Sequence, residues 1–454
     1  MEGKNSFKFM PTIKEHAKNT ITLAYPVMIG QLGMIMMGVV DSIMVGALGA
    51  APLAAAALGN SLFMIILIIG IGVSYAVTPL VAIAVGANKI SDCEVIFDQS
   101  VIVNAVLSII LLLLTFIGSD LIKYLNQPVH VAQQAVSYTR ILGYSIIPVM
   151  LFQTYKQFIE GFGIMQPAMV VTIAANLINA VFNWLLIYGK LGFPMMALDG
   201  AGWATFASRL FMGIVIMFYV MKAKRFKKFD VRFYIRKLNF HIIKKILGLG
   251  IPSAFQYIFE VGAFSSAVII VGWLGTKQLA AHQIAINLAS ISFMMTLGIS
   301  SAGAIRVANA VGKQDIKQVR EAGYTAIVLG ASLMAACGVI FIIFRNFLPS
   351  LYISDPKVIS YASTLLIIAA IFQISDGTQA VGIGILRGLT DVKIPTLITF
   401  IAYWVIALPV GYLLAFTFHL NVVGVWIGLL LGLTASATML TLRFNKRSRH
   451  LIAV

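Results

Sequence analysis

The sequence predicts an all-α integral membrane protein whose twelve transmembrane helices form two pseudo-symmetric six-helix bundles. Three observations predict it. The 454 residues are 60% hydrophobic and only 11% charged, with a mean hydropathy of +0.94, outside the composition of soluble domains. Apolar runs long enough to cross a hydrocarbon core, about 20 residues as helix, recur twelve times. Residues 23–86 align without a gap on residues 249–312, an offset of 226, with 20 identities in 64 positions; in so apolar an alphabet about six would coincide by chance.

The elements follow in order. Residues 1–19 carry four lysines and no small-residue cleavage site, so they read as a cytoplasmic tail rather than a signal peptide. The first bundle, 20–221, holds apolar runs at 20–46, 53–86, 97–119, 136–160, 168–188 and 198–221. A basic, aromatic-rich stretch at 222–245 follows. Tyr234, Leu238 and Ile242 give it an apolar face, as expected of an amphipathic linker on an anionic inner leaflet. The second bundle, 246–443, holds runs at 247–273, 279–311, 322–344, 358–386, 395–418 and 422–442, and a tail at 444–454 closes the chain. The second, eighth and tenth runs exceed one span and should tilt, kink or protrude, with Gly70, Gly72 and Gly298 as break points.

An even number of spans returns both termini to one side. With both termini inside, 24 of the 33 Lys and Arg fall on the inner face and five in outer loops, so the formal charge of +17 is sidedness rather than a nucleic-acid surface. The repeat offset of six spans inserts both halves the same way up, related by an axis along the membrane normal, with a cleft between them. Two cysteines, Cys93 and Cys337, supply neither a disulfide framework nor a cysteine-rich metal site.

Thirteen of the sixteen acids read as tail, loop or span-end residues; Asp41, Glu260 and Asp376 fall within spans. A carboxylate at membrane depth costs a few kcal/mol and is kept where it faces a polar interior or does work. At offset 226 Glu260 falls on Met34 and Asp41 on Ala267, so the halves share a scaffold but not their acids. Asn176, Asn179 and Asn183, the last two one turn apart, and Thr205 offer oxygen donors to the N-half acid; His282, Gln283 and Asn287 lie near the C-half pair. Interhelical hydrogen bonding or ion ligation would each explain such amides, and Na⁺ or a proton would each suit the carboxylates. Methionines such as Met34, Met36, Met37, Met44, Met294 and Met295 suit packing or an adaptable ligand surface.

Several stretches carry a family resemblance: Val40-Asp41-Ser42-Ile43-Met44-Val45-Gly46, Gly250-Ile251-Pro252, Phe259-Glu260-Val261, Ala280-Ala281-His282-Gln283 with Asn287, Asp376 with Leu386-Arg387-Gly388, and Tyr403-Trp404 with Leu408-Pro409. Over essentially its whole length the chain resembles the multidrug and toxic compound extrusion (MATE) transporters, NorM-type branch. The resemblance implies antiport, with a Na⁺ or H⁺ gradient driving export of organic, mainly cationic lipophilic compounds by alternating access. It implies Glu260 and Asp376 as coupling-ion acids and a Na⁺ site if Na⁺ is the ion. It also implies Asp41 as the N-half acid partnered by Asn179, Asn183 and Thr205, and Asp41, Ser61, Gln283, Asn287 and Asp355 as substrate-cleft residues. Asn183 stands where ion-binding N-halves often carry an aspartate, and Phe372 where a relative has a tyrosine, so the C-half pair is favoured for coupling.

The expected partners are small organic cations and membrane lipid, without nucleic acid, for a monomer in a bacterial inner membrane. No cofactor beyond the coupling ion is expected. A flippase for a lipid-linked precursor is the alternative, but it needs a basic cavity. An enzyme would need a nucleophile with a base or a metal cluster, and His282 is the only histidine clearly within a span.

Overall fold

A computed structural model describes residues 13–125, 127–226 and 238–450. The N-half comprises α1 (Ile13–Gly46), α2 (Ala50–Ser74), α3 (Val77–Gly86), α4 (Ile90–Leu121), α5 (Val129–Tyr144), α6 (Ile146–Gly161), α7 (Gln166–Tyr188) and α8 (Ala197–Lys222). The C-half comprises α9 (Phe240–Gly272), α10 (Thr276–Gly312), α11 (Ile316–Ile343), α12 (Phe347–Ser350), α13 (Pro356–Gly388), α14 (Lys393–Phe400), α15 (Leu408–Tyr412) and α16 (Asn421–Arg449). Twelve helical segments are long and apolar enough to cross a membrane.

The helix ends and interruptions have local causes. Asn239 caps α9 by accepting from Ile242 N at 3.2 Å, and Asp315 caps α11 by accepting from Gln318 N at 2.9 Å. The second run breaks between α2 and α3 at residues 75–76, just past Gly70 and Gly72, whereas α10 passes Gly298 unbroken. The fourth run is two helices meeting at Ser145, and the eleventh contains π-helical turns at Ile401–Ala407 and Leu413–Thr417 around Pro409. A proline removes one intrahelical donor, and such wide turns absorb the mismatch. α1 opens at Ile13, inside the stretch expected as tail. Of the expected linker, residues 227–237, including Tyr234, lie outside those described, while Leu238 is exposed and Ile242 packs against buried residues.

Each half packs its own core. Phe97, Phe152, Phe158 and Met212 belong to an N-half cluster, and Phe372, Tyr403 and Trp426 to a C-half cluster. Between the halves the contact is close and follows the repeat. A Cβ on Gly86 would collide with the Asn309 carbonyl, and one on Gly312 with the Ile83 carbonyl; both pairs are exchanged by the offset of 226. Likewise Gly72 abuts the backbone of Ala254, and Gly298 abuts Met28. Ala82 and Ala308, also repeat mates, share a buried cross-half cluster with Val27, Met165 and Ile305. Small residues let backbones approach, and where no water drives association van der Waals packing supplies the cohesion. The halves are thus sealed at the end carrying Gly86 and Gly312.

Gly86→Ala or Gly312→Ala is expected to prise this seal apart. Ala308, fully buried, replaced by cysteine in a Cys93→Ser/Cys337→Ser background, should be protected from a maleimide in the parent and labelled rapidly in either glycine variant. Equal protection in all three would show that the seal tolerates a methyl group.

Candidate functional site

In the N-half, α1 presents Asp41 to α7 and α8. Asn183 donates to one Asp41 carboxylate oxygen at 2.6 Å and to Asn179 Oδ1 at 3.1 Å, and Thr205 donates to the other carboxylate oxygen at 3.1 Å. All four side chains are buried. The amide at 183 is what lets that position donate, since an ionised carboxylate only accepts. Arg209, one turn beyond Thr205 on α8, is buried over the Phe63 ring at 4.7 Å, donates to Ser145 Oγ at 2.6 Å, and lies within electrostatic reach of Asp41. It lies midway along α8, inside the apolar run at 198–221, and is the buried counter-charge of this cluster.

Between the halves, beside the seal, lies a cavity of about 640 Å³. α1, α2, α6 and α7 line it from one half, and α9, α10 and α13 from the other. Glu260 and Asp376 both line it, 8% and 4% exposed, close enough for their charges to act on each other. Phe372, one turn before Asp376, offers a ring there instead of a hydroxyl. The hydroxyl comes from elsewhere: Tyr403 accepts from Gln379 Nε2 at 2.9 Å and donates to Glu260. Met34, Met64, Met165, Met169 and Met294 contribute thioethers to the wall.

Three charged residues are deeper than their sequence positions indicated. Arg387, counted as an inner-loop cation, is 8% exposed, with its guanidinium 4.9 Å from the Tyr75 ring and 5.9 Å from the Tyr257 ring, themselves stacked at 5.5 Å. Glu160, counted as a span-end acid, is 3% exposed and lines the cavity, as does Lys156. Buried or cavity-lining bases therefore accompany the acids: Arg209 near Asp41, Arg387 near Glu260 and Lys156 beside Glu160. The repeat carried the signal, because Glu160-Gly161 aligns with Arg387-Gly388 once loop lengths shift the offset from 226 to 227, and both charged residues are buried.

Asp41, Ser61, Gln283, Asn287 and Asp355 do not line this cavity. Ser61 lies three residues before the lining Met64, and Gln283 and Asn287 lie seven and three before the lining Ser290, so they extend the same helical faces away from the seal. All three are exposed, with Gln283 donating to Asn287 at 3.2 Å. Asp355 caps α13 and pairs with Lys277 at 2.8 Å; that ammonium, with the Lys357 amide, holds its carboxyl below the usual carboxylate range. His282 is committed to packing, its Nδ1 accepting from Trp426 Nε1 at 3.0 Å.

Asn183→Leu should remove both amide donations and leave the Asp41 carboxylate without its shortest hydrogen bond. Stranding a buried acceptor of this kind costs about 1–3 kcal/mol, read as a drop in thermal unfolding temperature. An unchanged temperature would mean that other groups hold Asp41.

The family model described as MatE matches residues 26–185 and 252–413. The chain is 35% identical over 443 residues to the probable multidrug resistance protein NorM of Mesorhizobium japonicum, covering 96% of this chain and 95% of that protein. It is 34% identical over 435 residues to the multidrug resistance protein MdtK of Yersinia pseudotuberculosis, covering 94% and 95%. Among solved structures, the eukaryotic MATE transporter AtDTX14 matches with a TM-score of 0.86 at 24% identity, over 96% of this chain and 98% of that one. An outward-facing multidrug resistance MATE transporter matches at 0.87 and 21% identity, over 96% of each. Two matches of one family model, one in each half, and full-length relatives above 30% identity establish that the chain belongs to the MatE family.

Proposed function

We propose that the chain is a cation-coupled multidrug exporter, driven by Na⁺ or H⁺ and acting on organic, mainly cationic lipophilic compounds. The observation that carries this reading is the cavity between the halves, closed on the Gly86/Gly312 side and bearing Glu260 and Asp376 on its C-half wall. Two ionised carboxylates facing one cavity repel each other, and either a coupling ion or a substrate cation relieves that repulsion. A coupling ion on this pair and a substrate cation elsewhere in the same cavity repel each other, so the two occupancies cannot coexist cheaply, which is the thermodynamic requirement for exchange rather than co-transport. Alternating access follows if the seal opens on one side as the halves close on the other.

The bias of basic residues supports an orientation with both termini and the seal at the cytoplasmic face of a bacterial inner membrane, and in that orientation the described state opens outward. The names of the curated relatives, multidrug resistance proteins, support drug export. They do not favour a lipid-precursor flippase, and neither does a cavity wall with three carboxylates against Lys156.

In proteoliposomes, ethidium transport is expected under a Na⁺ gradient alone or a pH gradient alone, whichever ion couples. Glu260→Gln or Asp376→Asn should abolish it while the variants still insert and fold. Full transport in both variants would overturn the assignment of the C-half pair, and no transport under either gradient would reopen the flippase reading.

A further inference from the structure

The C-half acids leave the opposite wall of the cavity unexplained. There α6 presents Gln153, Lys156 and Glu160, spaced i, i+3, i+7 along one helical face, and all three line the cavity. Glu160 is 3% exposed, and its ion-pair partner is Lys156, with 3.8 Å between Nζ and Oε1. That pair is loose. The separation is too long for a hydrogen bond, and lysine four residues before glutamate is the weaker order on a helix. Gln153, 5% exposed, has an Oε1 with no hydrogen-bond partner among the described residues. A buried carbonyl oxygen at a cavity wall requires a donor, and nothing on α6 supplies one.

We propose that this face is the substrate-cation anchor of the exporter: Glu160 takes the positive centre of the organic cation, and Lys156 is a tethered surrogate that occupies Glu160 until the substrate displaces it. Gln153 then reads an N–H on the ligand. The inference rests on the export reading above and assigns that reading a locus on the N-half wall, apart from Glu260 and Asp376. The neighbours fit such a ligand. Phe152, Tyr75, Met165 and Met169 line the same wall region, and aromatic faces and thioethers hold a soft, delocalised cation well. The volume of about 640 Å³ falls within the ~300–1,000 Å³ typical of drug-sized sites. The surrogate lysine gives selectivity by charge: a neutral compound cannot displace it with profit, because leaving Glu160 buried without a cation is costly.

The test is equilibrium binding to the purified full-length protein in detergent, with no ion gradient, using two probes. Tetraphenylphosphonium is a lipophilic cation without N–H groups, and ethidium is one with aryl amines. Glu160→Gln is expected to weaken both probes by roughly tenfold or more, the scale of one desolvated charge contact. Lys156→Met should tighten both. Gln153→Leu should weaken ethidium and leave tetraphenylphosphonium unchanged.

Lys156→Met strands a buried carboxylate and risks misfolding, so the double variant Lys156→Met/Glu160→Gln, neutral at both positions, completes a cycle. In the Glu160→Gln background the Lys156→Met gain should vanish. Unchanged affinity in Glu160→Gln would overturn the proposal. So would an equal gain from Lys156→Met in both backgrounds, since the lysine would then be acting on Glu260 and Asp376 instead. Wild-type protein that binds neither probe would overturn the export reading itself, whereas wild-type binding with Glu160→Gln unaffected would remove this inference alone.

Discussion

The contact on which the rest of the molecule depends is the backbone-to-backbone approach of α3 and α10, where Gly86 meets the carbonyl of Asn309 and Gly312 that of Ile83. A side chain larger than hydrogen at either glycine would hold the halves apart, and the cavity begins where this contact stops. Ile71, Tyr75, Tyr257 and Leu297, all near the glycine-mediated contacts of α2, α9 and α10, already face the open space. Because the two contacts are exchanged by the internal repeat, one local geometry used twice seals the interface symmetrically about a single axis. Packed interfaces of this kind have discrete arrangements rather than a continuum, which is the property an alternating-access device needs.

The symmetry of the scaffold then throws the asymmetry of the charges into relief. In the N-half, Asp41 is tied down by Asn183 and Thr205 with Arg209 at hand, a buried cluster away from the cavity wall. In the C-half, Glu260 and Asp376 face the cavity with Arg387 behind Glu260, shielded over Tyr75 and Tyr257. The alignment of Glu160 with Arg387 repeats the theme: one register holds an acid in one half and a base in the other, both buried. Buried charge in such a protein is tolerated where a counter-charge or a polar cavity accompanies it. Here Asp41 and Arg209, and Glu260 and Arg387, come from different helices of one half, while Lys156 and Glu160 share α6.

The legible part of the fold was whatever a period or a repeat encodes. The twelve apolar runs, the duplicated 23–86 stretch and the shared face of Asn179 and Asn183 can be read from spacing, since residues at i and i+4 share a face in any helix; that these amides and Thr205 partner Asp41 came from the family resemblance. Phe372 could be read as removing a hydroxyl, but not that Tyr403, reaching in from the π-distorted eleventh span, supplies one to Glu260. Depth near span ends was illegible for the same reason. Arg387 and Glu160 stay at the ends of α13 and α6, where hydropathy expects a boundary charge, and are buried there by the packing of neighbouring helices, which no pattern along the chain encodes.

By itself, then, the sequence determined membrane residence, helix count, the twofold repeat and three of the charges placed within spans, Asp41, Glu260 and Asp376, because these depend on composition and period along one chain. Only the tertiary structure decided which charges share a space. That Glu160 and Lys156 face Glu260 and Asp376 across one cavity, that Arg209 and Arg387 are buried counter-charges, and that Ser61, Gln283 and Asn287 lie beyond the cavity all follow from how two bundles dock. The docking is fixed by glycine-to-carbonyl contacts between residues more than two hundred positions apart, a distance over which no local pattern in the chain carries information.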